Sequence, residues 1–382
     1  VLHWRSLLCA PAPAGLPHLM RAPHWRLTTS GRAALWQALR ALSLPAGTPV
    51  LVPTYHCPTL VAPVVALGLE PRFYPIDDSG LPALALFDAV DTTGVQAIIV
   101  PHLFGRVQSL AAVRRWCDER EVALIEDCAH ALMGQAGERP VGAWGDMATA
   151  SLTKFIAVPE AGVLAAWRQA LPAVPLRRAG LRQQLKAWVT VLERRPETDW
   201  TGRLVARWQR SRDRGRTSAS TAPARPPVQP AMARDPVAEA VSACDMGRVD
   251  QRPTLAAAWL AHALPLGGPA RRRRTHFTHF ARLLQARRGA HALWPAPADD
   301  AAPYVFPLWV DDPDALYAHL RGQGLAVLRW DRVWPGTPQI AGDVGPAWSR
   351  HVLQLLCHQD LEDSDIARTT SVILQWLAEH NT

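Results

Sequence analysis

The chain holds 382 residues, 48% of them apolar and 19% charged, which is the composition of a folded globular protein large enough for two subdomains. No apolar run reaches the ~18 uninterrupted residues of a spanning helix, no basic segment with a clean apolar stretch opens the chain, and the six cysteines form no C-x-x-C pair; these features predict a cytoplasmic protein with reduced thiols, no signal peptide and no membrane partner. The net charge of +8 alone does not indicate nucleic acid, because the one dense basic run, RRRRT at 271–275, opens an amphipathic segment without interleaved aromatics.

From residue 30 to about 167, short apolar runs alternate with helix-period segments. PVLVP (49–53), PRFYPI (71–76), AIIVPH (97–102), VALIED (122–127), MATASL (147–152) and GVLAAW (162–167) read as buried strands, and 31–42 and 108–119 as helices. This alternation predicts an α/β fold with a mainly parallel sheet covered on both faces. Residues 208–236, rich in Arg, Ser, Ala and Pro without apolar period, read as a mobile loop. Beyond them, 254–264 and 275–286 are helical in pattern, 304–310 is a strand followed by a helix, and LAVLRW (325–330) is another strand. The expected organisation is a large domain over 1–245 and a smaller α+β domain over 246–382.

Ligands of parallel sheets gather at the carboxyl ends of the strands. Those ends carry Thr54, Tyr55, His56 and Cys57; His102 and Gly105; Glu126, Asp127, Cys128 and His130; and Ser151, Thr153 and Lys154. Lys154 is unusual, since of 41 basic residues only it and Lys186 are lysines. Lys186 lies in the polar–apolar helix LRQQLKAWV and reads as a surface charge. No G-x-G-x-x-G follows a strand, and neither lysine follows a glycine as a P-loop requires. A phosphate fits instead at the start of the helix SGRAALWQAL (30–39), where Gly31, Arg32 and Ala33 present backbone N–H groups at the positive end of the dipole. A phosphate site, a strand-end aspartate and a solitary lysine together suggest pyridoxal 5′-phosphate. Lys154 would form the Schiff base, and Asp127 would keep the pyridine nitrogen protonated.

In this order the pieces resemble the DegT-type sugar aminotransferases, a group of fold-type I pyridoxal-phosphate enzymes. The likeness runs from about residue 28 to the C-terminus, apart from 208–236. SGRAAL is similar to their S-G-T/S-A-A-L phosphate turn. VLVPTYHCPT stands where they have a V-P-S/T-aromatic segment over the cofactor, and IIVPHLFG looks like P-V-H-L-Y-G. LIEDCAHALMG resembles I-E-D-A-A-Q-A-x-G, which implies the pyridine-nitrogen role for Asp127 and sets His130 where the family has a glutamine near the cofactor's 3′-oxygen. VGAWGDMATASLTKFIAVPEAGVL resembles the G-x-x-G-D-x-x-x-x-S-F…K…G-E-G-G block, implying a phosphate-binding Ser151 and the Schiff-base lysine at Lys154. YVFPLWVDDPDALYAHLRGQGLAVLRW and LCHQDLEDSDIARTTSVI are similar to the family's C-terminal domain.

The sequence also departs from the family pattern. Ser151 and Lys154 are three positions apart where five is usual. The position that often stacks an aromatic on the pyridine falls at Cys57, which leaves open whether Tyr55, His56 or Cys57 covers the ring. The G-x-N-x-R segment falls near CDMGR (244–248), without its asparagine but with Arg248. The resemblance implies a homodimer with shared active sites that transfers an amino group from glutamate or glutamine to a keto-sugar, nucleotide-linked. Other pyridoxal-phosphate reactions (dehydration, cyclisation, amine transfer outside sugars) stay open beside it. So do a zinc site at His56, Cys57, Cys128 and His130 and an inactive homologue acting as a binding partner.

Overall fold

The computed structural model describes residues 17–193, 235–264, 266–284, 286–298 and 300–380. The stretch 208–236 lies outside them except for its last two residues. Seven strands form the main sheet: β1 (His24–Thr28), β2 (Pro49–Pro53), β3 (Glu70–Tyr74), β4 (Ala97–Pro101), β5 (Ala123–Asp127) and, after a small hairpin of β6 (Gln135–Ala136) and β7 (Arg139–Pro140), β8 (Met147–Ser151) and β9 (Gly162–Ala166). Their order is β1-β9-β8-β5-β4-β2-β3. All neighbours are parallel except that β9 runs against both β8 and β1. The mainly parallel α/β sheet read from the sequence is present.

Side chains alternate between two apolar faces, as a sheet covered on both sides requires. Leu51, Ile98, Val100, Leu124, Ala148 and Val163 enter one cluster. Val50, Val52, Ile99, Ile125, Met147 and Leu164 enter the other, against helices α1 (Gly31–Ala41) and α2 (Pro58–Ala66). The first face is covered partly by α3 (Ala111–Arg120) through Val113 and Trp116. This helix starts three residues later than its periodicity suggests. Its end is set by Glu121 in the left-handed conformation (φ 55°).

β1 has no counterpart among the sequence-predicted strands. HWRLT is a mixed, half-buried edge strand, and a strand of that kind carries little alternation. The run 71–76 is also shorter than read: pairing stops at Tyr74, and Ile76 makes an isolated bridge to Pro82.

Farther along, α4 (Leu181–Glu193) precedes α5 (Pro236–Ala243), α6 (Leu255–Ala263) and α7 (Gly267–Leu284). The second sheet is antiparallel, ordered β10-β11-β12-β14-β13, with β10 (Ala286–Arg287), β11 (Ala290–Ala292), β12 (Val305–Val310), β13 (Val327–Arg329) and β14 (Val352–Leu356). Helices α8 (Pro313–Gly322), α9 (Gly345–His351) and α10 (Asp363–His380) complete this unit. Its own core holds Phe277, Phe280, Phe306, Leu353 and Ile373. Ala256, Leu260 and Ala261 of α6 pack instead into the first cluster, and α7 joins that cluster through Ala270. The same cluster also takes in Trp294, Ala301, Val305, Trp348 and Val352, so its packing continues past residue 245 into the second sheet and α9. Among the described residues no helix is long and apolar enough to cross a membrane.

Candidate active site

A cavity of about 240 Å³ opens at the carboxyl ends of β2, β4, β5 and β8, beside the start of α1. Of the candidates singled out in the sequence, Gly31, Arg32, His56, Cys57, Asp127, His130, Ser151 and Lys154 line it. Two do not. Ala33 is buried and gives its N–H to the Ser30 hydroxyl that caps α1. Tyr55 is fully buried, packed against Phe104, Trp330 and Trp348 with its hydroxyl accepting from the Gln354 amide.

Glycines bring the anion-binding end together. A side chain at Gly162 would start 2.3 Å from the Ser30 carbonyl oxygen, so β9 can pass the α1 N-terminus only as glycine. A Cβ at Gly31 would lie 3.1 Å from the Ser151 Cβ, which sets the first turn of α1 directly against the end of β8. Ser30 satisfies the N–H groups of Ala33 and Ala34. Those of Gly31 and Arg32 have no intrahelical acceptor and border the cavity with the Ser151 hydroxyl, which lies 3.2 Å from that of Thr153.

Asp127 and Lys154 line the same cavity. Asp127 closes β5, and its Oδ1 accepts from the Ala129 N–H (2.9 Å) and the Thr149 hydroxyl (3.2 Å). Burial pushes its pKa up, with Lys154 pulling the other way. Lys154 ends a short turn, Leu152–Lys154. Burial lowers its pKa while Asp127 and Cys57 oppose that shift. Its Nζ lies 5.2 Å from the centre of the Tyr304 ring. A carboxylate short of hydration gains from a cationic partner, and a depressed lysine is more often the free amine.

The two histidines differ in what they offer. His56 Nδ1 donates to the Pro53 carbonyl (2.8 Å), and Nε2 accepts the Trp334 N–H (2.9 Å). Both nitrogens are therefore committed to backbone, and burial lowers its pKa to about 4. His130 is sandwiched near Tyr304 (centroids 4.3 Å, 19° between planes) and Trp330 (5.1 Å). Burial, then Lys154, pushes its pKa far down, so it stands neutral at the cavity wall. At Cys57 the thiol accepts the Thr59 hydroxyl (3.1 Å).

His102 lies on the wall with a different partner. Its Nε2–H donates to Glu126 Oε1 at 2.9 Å. Burial alone would raise the Glu126 pKa, but His102 and the N–H groups of Gly142 and Trp144 hold it below the usual range. Among the described residues the one cluster able to share an ion is His102, Glu126 and Cys128. The four residues of the zinc reading do not form it. Burial also keeps the Cys128 thiol protonated, which makes it a poor ligand.

Three neighbours escaped the sequence reading: Trp330 on the cavity wall, Tyr304 beneath Lys154, and Arg273, which hydrogen-bonds the Lys154 carbonyl. They arrive from the C-terminal unit, and nothing in local spacing marks them. Arg248, noted beside the missing asparagine, pairs with Glu160 (2.5 Å), whose other oxygen accepts the Thr254 N–H.

The residues present suit pyridoxal phosphate on chemical grounds: N–H groups and a hydroxyl for its phosphate, a raised carboxyl for its ring nitrogen, and a depressed amine for its aldehyde. The sequence profile of the DegT/DnrJ/EryC1/StrS aminotransferase family matches residues 15–189. GDP-perosamine synthase of Vibrio cholerae is 30% identical over 149 residues, 38% of this chain and 40% of that protein. The match thus spans less than half of that relative's length. The aminotransferase TlmJ from Streptoalloteichus hindustanus superposes with a TM-score of 0.66 at 20% identity, over 94% of this chain and 87% of that one. The E. coli GDP-4-keto-6-deoxy-D-mannose-3-dehydratase, solved with bound hydrated pyridoxal phosphate, gives 0.60 at 16% identity over 92% and 88%. The fold is that of the solved aminotransferase TlmJ, and residues 15–189, just under half of the chain, match the profile of the DegT/DnrJ/EryC1/StrS aminotransferase family.

Proposed function

We propose that the protein is a pyridoxal-phosphate-dependent aminotransferase that moves an amino group from glutamate or glutamine to a nucleotide-linked keto-sugar. The observation that carries this reading is that Asp127 and Lys154 line one cavity with the N-terminus of α1 and influence each other there, their pKa values shifted in opposite directions. The family match supports the reaction type, and the name of the Vibrio relative supports the sugar class.

When bound, pyridoxal phosphate supplies an aldehyde that accepts amino groups and a ring that absorbs carbanion charge. Ser151 and the Gly31 and Arg32 N–H groups would hold the phosphate. The Asp127 carboxylate would hold a proton on the ring nitrogen through a charge-assisted hydrogen bond. Lys154 Nζ is the general base and acid: as free amine it takes a proton from the donor carbon, and as ammonium it returns one. Neutral His130, fixed by its stacked neighbours, lines the wall beside it.

Two further features of the assembly belong to this reading. The protein works as a homodimer, supported by an apolar face on α4 and α6 where Leu181 is 84% and Leu255 71% exposed and the Trp188 and Trp259 rings lie 6.2 Å apart. Its compartment is the cytoplasm, supported by the free thiols of all five described cysteines. The experiment that tests the function is borohydride reduction of the cofactor-loaded protein, followed by peptide mapping. The cofactor should be fixed on Lys154; fixation on Lys186 would overturn the assignment.

A further inference from the structure

Arg273 is the largest fully enclosed side chain among the described residues, 1% exposed, although it sits inside the basic run 271–274. A buried guanidinium is tolerated only when its N–H groups are met, and here amide carbonyls meet them. Nη2 donates to the Lys154 carbonyl (2.5 Å), Nη1 to those of Pro303 and Tyr304 (3.3 Å each), and Nε to the Gln359 side chain (2.8 Å). Gln359 in turn donates to the Phe155 carbonyl (3.0 Å), and the guanidinium lies over the Phe155 ring at 4.8 Å. One planar fork from α7 thus ties together the turn that carries Lys154 and the strand entry that carries Tyr304.

We propose that Arg273 is a positioning residue for the reactive lysine: it clamps the Lys154 and Tyr304 carbonyls so that the lysine amine is held over the Tyr304 ring. This rests on the reading of Lys154 as the cofactor lysine. The clamp comes from the C-terminal unit, so the placement of the amine depends on how α7 is docked. Lysine at 273 would keep the charge but not the fork, because an ammonium cannot span acceptors on three separate segments. A displacement of about 1 Å at a reacting group can cost roughly a hundredfold in rate.

The test uses the full chain, wild type, Arg273→Lys and Gln359→Ala. In cofactor-free protein, the pH profile of Lys154 acylation, followed by mass spectrometry, reads the amine's apparent pKa. In loaded protein, the pH titration of the visible band and the half-reaction with glutamate give the environment and the rate. Arg273→Lys should shift both apparent pKa values by roughly half a unit or more and slow the half-reaction about ten- to a hundredfold, with the KM for glutamate changed less than about threefold. Gln359→Ala should move the same readouts less, in the same direction. Unshifted pKa values and an unchanged rate in both variants, whatever stability they lose, would overturn the proposal and leave Arg273 a structural residue only. If Arg273→Lys does not fold, Gln359→Ala decides by the same measures. Wild-type protein that never links the cofactor to Lys154 would overturn the reading of the site itself, before any variant is compared.

Discussion

Glu126 and Asp127 are adjacent in β5 and are driven in opposite directions. Glu126 points into the protein, where His102 and the N–H groups of Gly142 and Trp144 hold its carboxylate ionised against the cost of burial. Asp127, one residue on and therefore on the other face of the strand, faces the cavity, where burial raises its pKa. The first carboxylate stabilises the sheet end that displays the second, and they should respond differently to the same change.

Asp127→Asn should keep the fold and the cofactor yet lose turnover. Losing an electrostatic partner of this kind costs about 3–4 kcal/mol of transition-state stabilisation, some hundred- to thousandfold in kcat. Steady-state kinetics with the cofactor saturating would check it, and near-normal turnover would contradict the role given to Asp127.

The same substitution should stabilise the cofactor-free protein at neutral pH. A carboxyl whose pKa is raised on folding contributes nothing when both states are protonated. It then costs stability as pH rises from the unfolded value through the folded one, and the loss persists above that window. Asparagine removes this cost. Thermal melts of apo wild type and Asp127→Asn across the acid-to-neutral range should converge at low pH and diverge near neutrality, with the variant higher; a lower variant at pH 7 would refute the sign.

Glu126→Gln should behave in the reverse sense. A folded pKa held below the unfolded one gives stability that is full above the unfolded value and is lost as pH falls through the folded one. Removing the charge leaves four donors, His102 and the N–H groups of Gly142, Trp144 and Gly145, facing an amide, at a cost of about 2–3 kcal/mol from lost charged hydrogen bonds. Urea unfolding at pH 7 and at mildly acidic pH should show the gap between wild type and variant narrowing in acid. A gap that stays constant with pH would assign the loss to packing.

Much of this site is legible in the sequence because its parts are local. The strand ends, the Ser30 cap with its glycine and the solitary Lys154 are each set by a few neighbouring residues, and the sheet then brings the strand ends to one rim. What the sequence hides is contributed from a distance. Trp330 leaves β13 to reach the cavity, and Tyr304 reaches His130 across more than 170 positions of chain. Arg273 looked like one more charge in a basic run, but the first turn of α7 absorbs the Gly267–Gly268–Pro269 breakers, so the helix begins eight residues earlier than its apolar period suggests and turns Arg273 inward. Tyr55 and His56 divide for a related reason: both are polar aromatics at one strand end, and only tertiary packing shows Tyr55 buried in the core and His56 on the cavity wall with both nitrogens bonded to backbone.

The reaction type gives the sharpest prediction. On the proposed reading, glutamate or glutamine alone should convert the loaded protein to the pyridoxamine form and release one equivalent of keto acid per site, because the Lys154 amine would serve as the base and acid that moves the proton. Burial favours this by lowering the Lys154 pKa, with Asp127 opposing that shift. A dehydratase would also pass through pyridoxamine but would remove a hydroxyl and deliver no net nitrogen to the sugar. Mass spectrometry of a nucleotide-linked keto-sugar incubated with ¹⁵N-labelled donor therefore separates the two, with aminotransfer placing the label in the product. Loss of water without label would convict the protein of dehydration. A lysine-linked cofactor that forms no pyridoxamine with either donor would remove transamination altogether, and the turn that sets Lys154 only three residues after Ser151 would then be the first place to look for the reason.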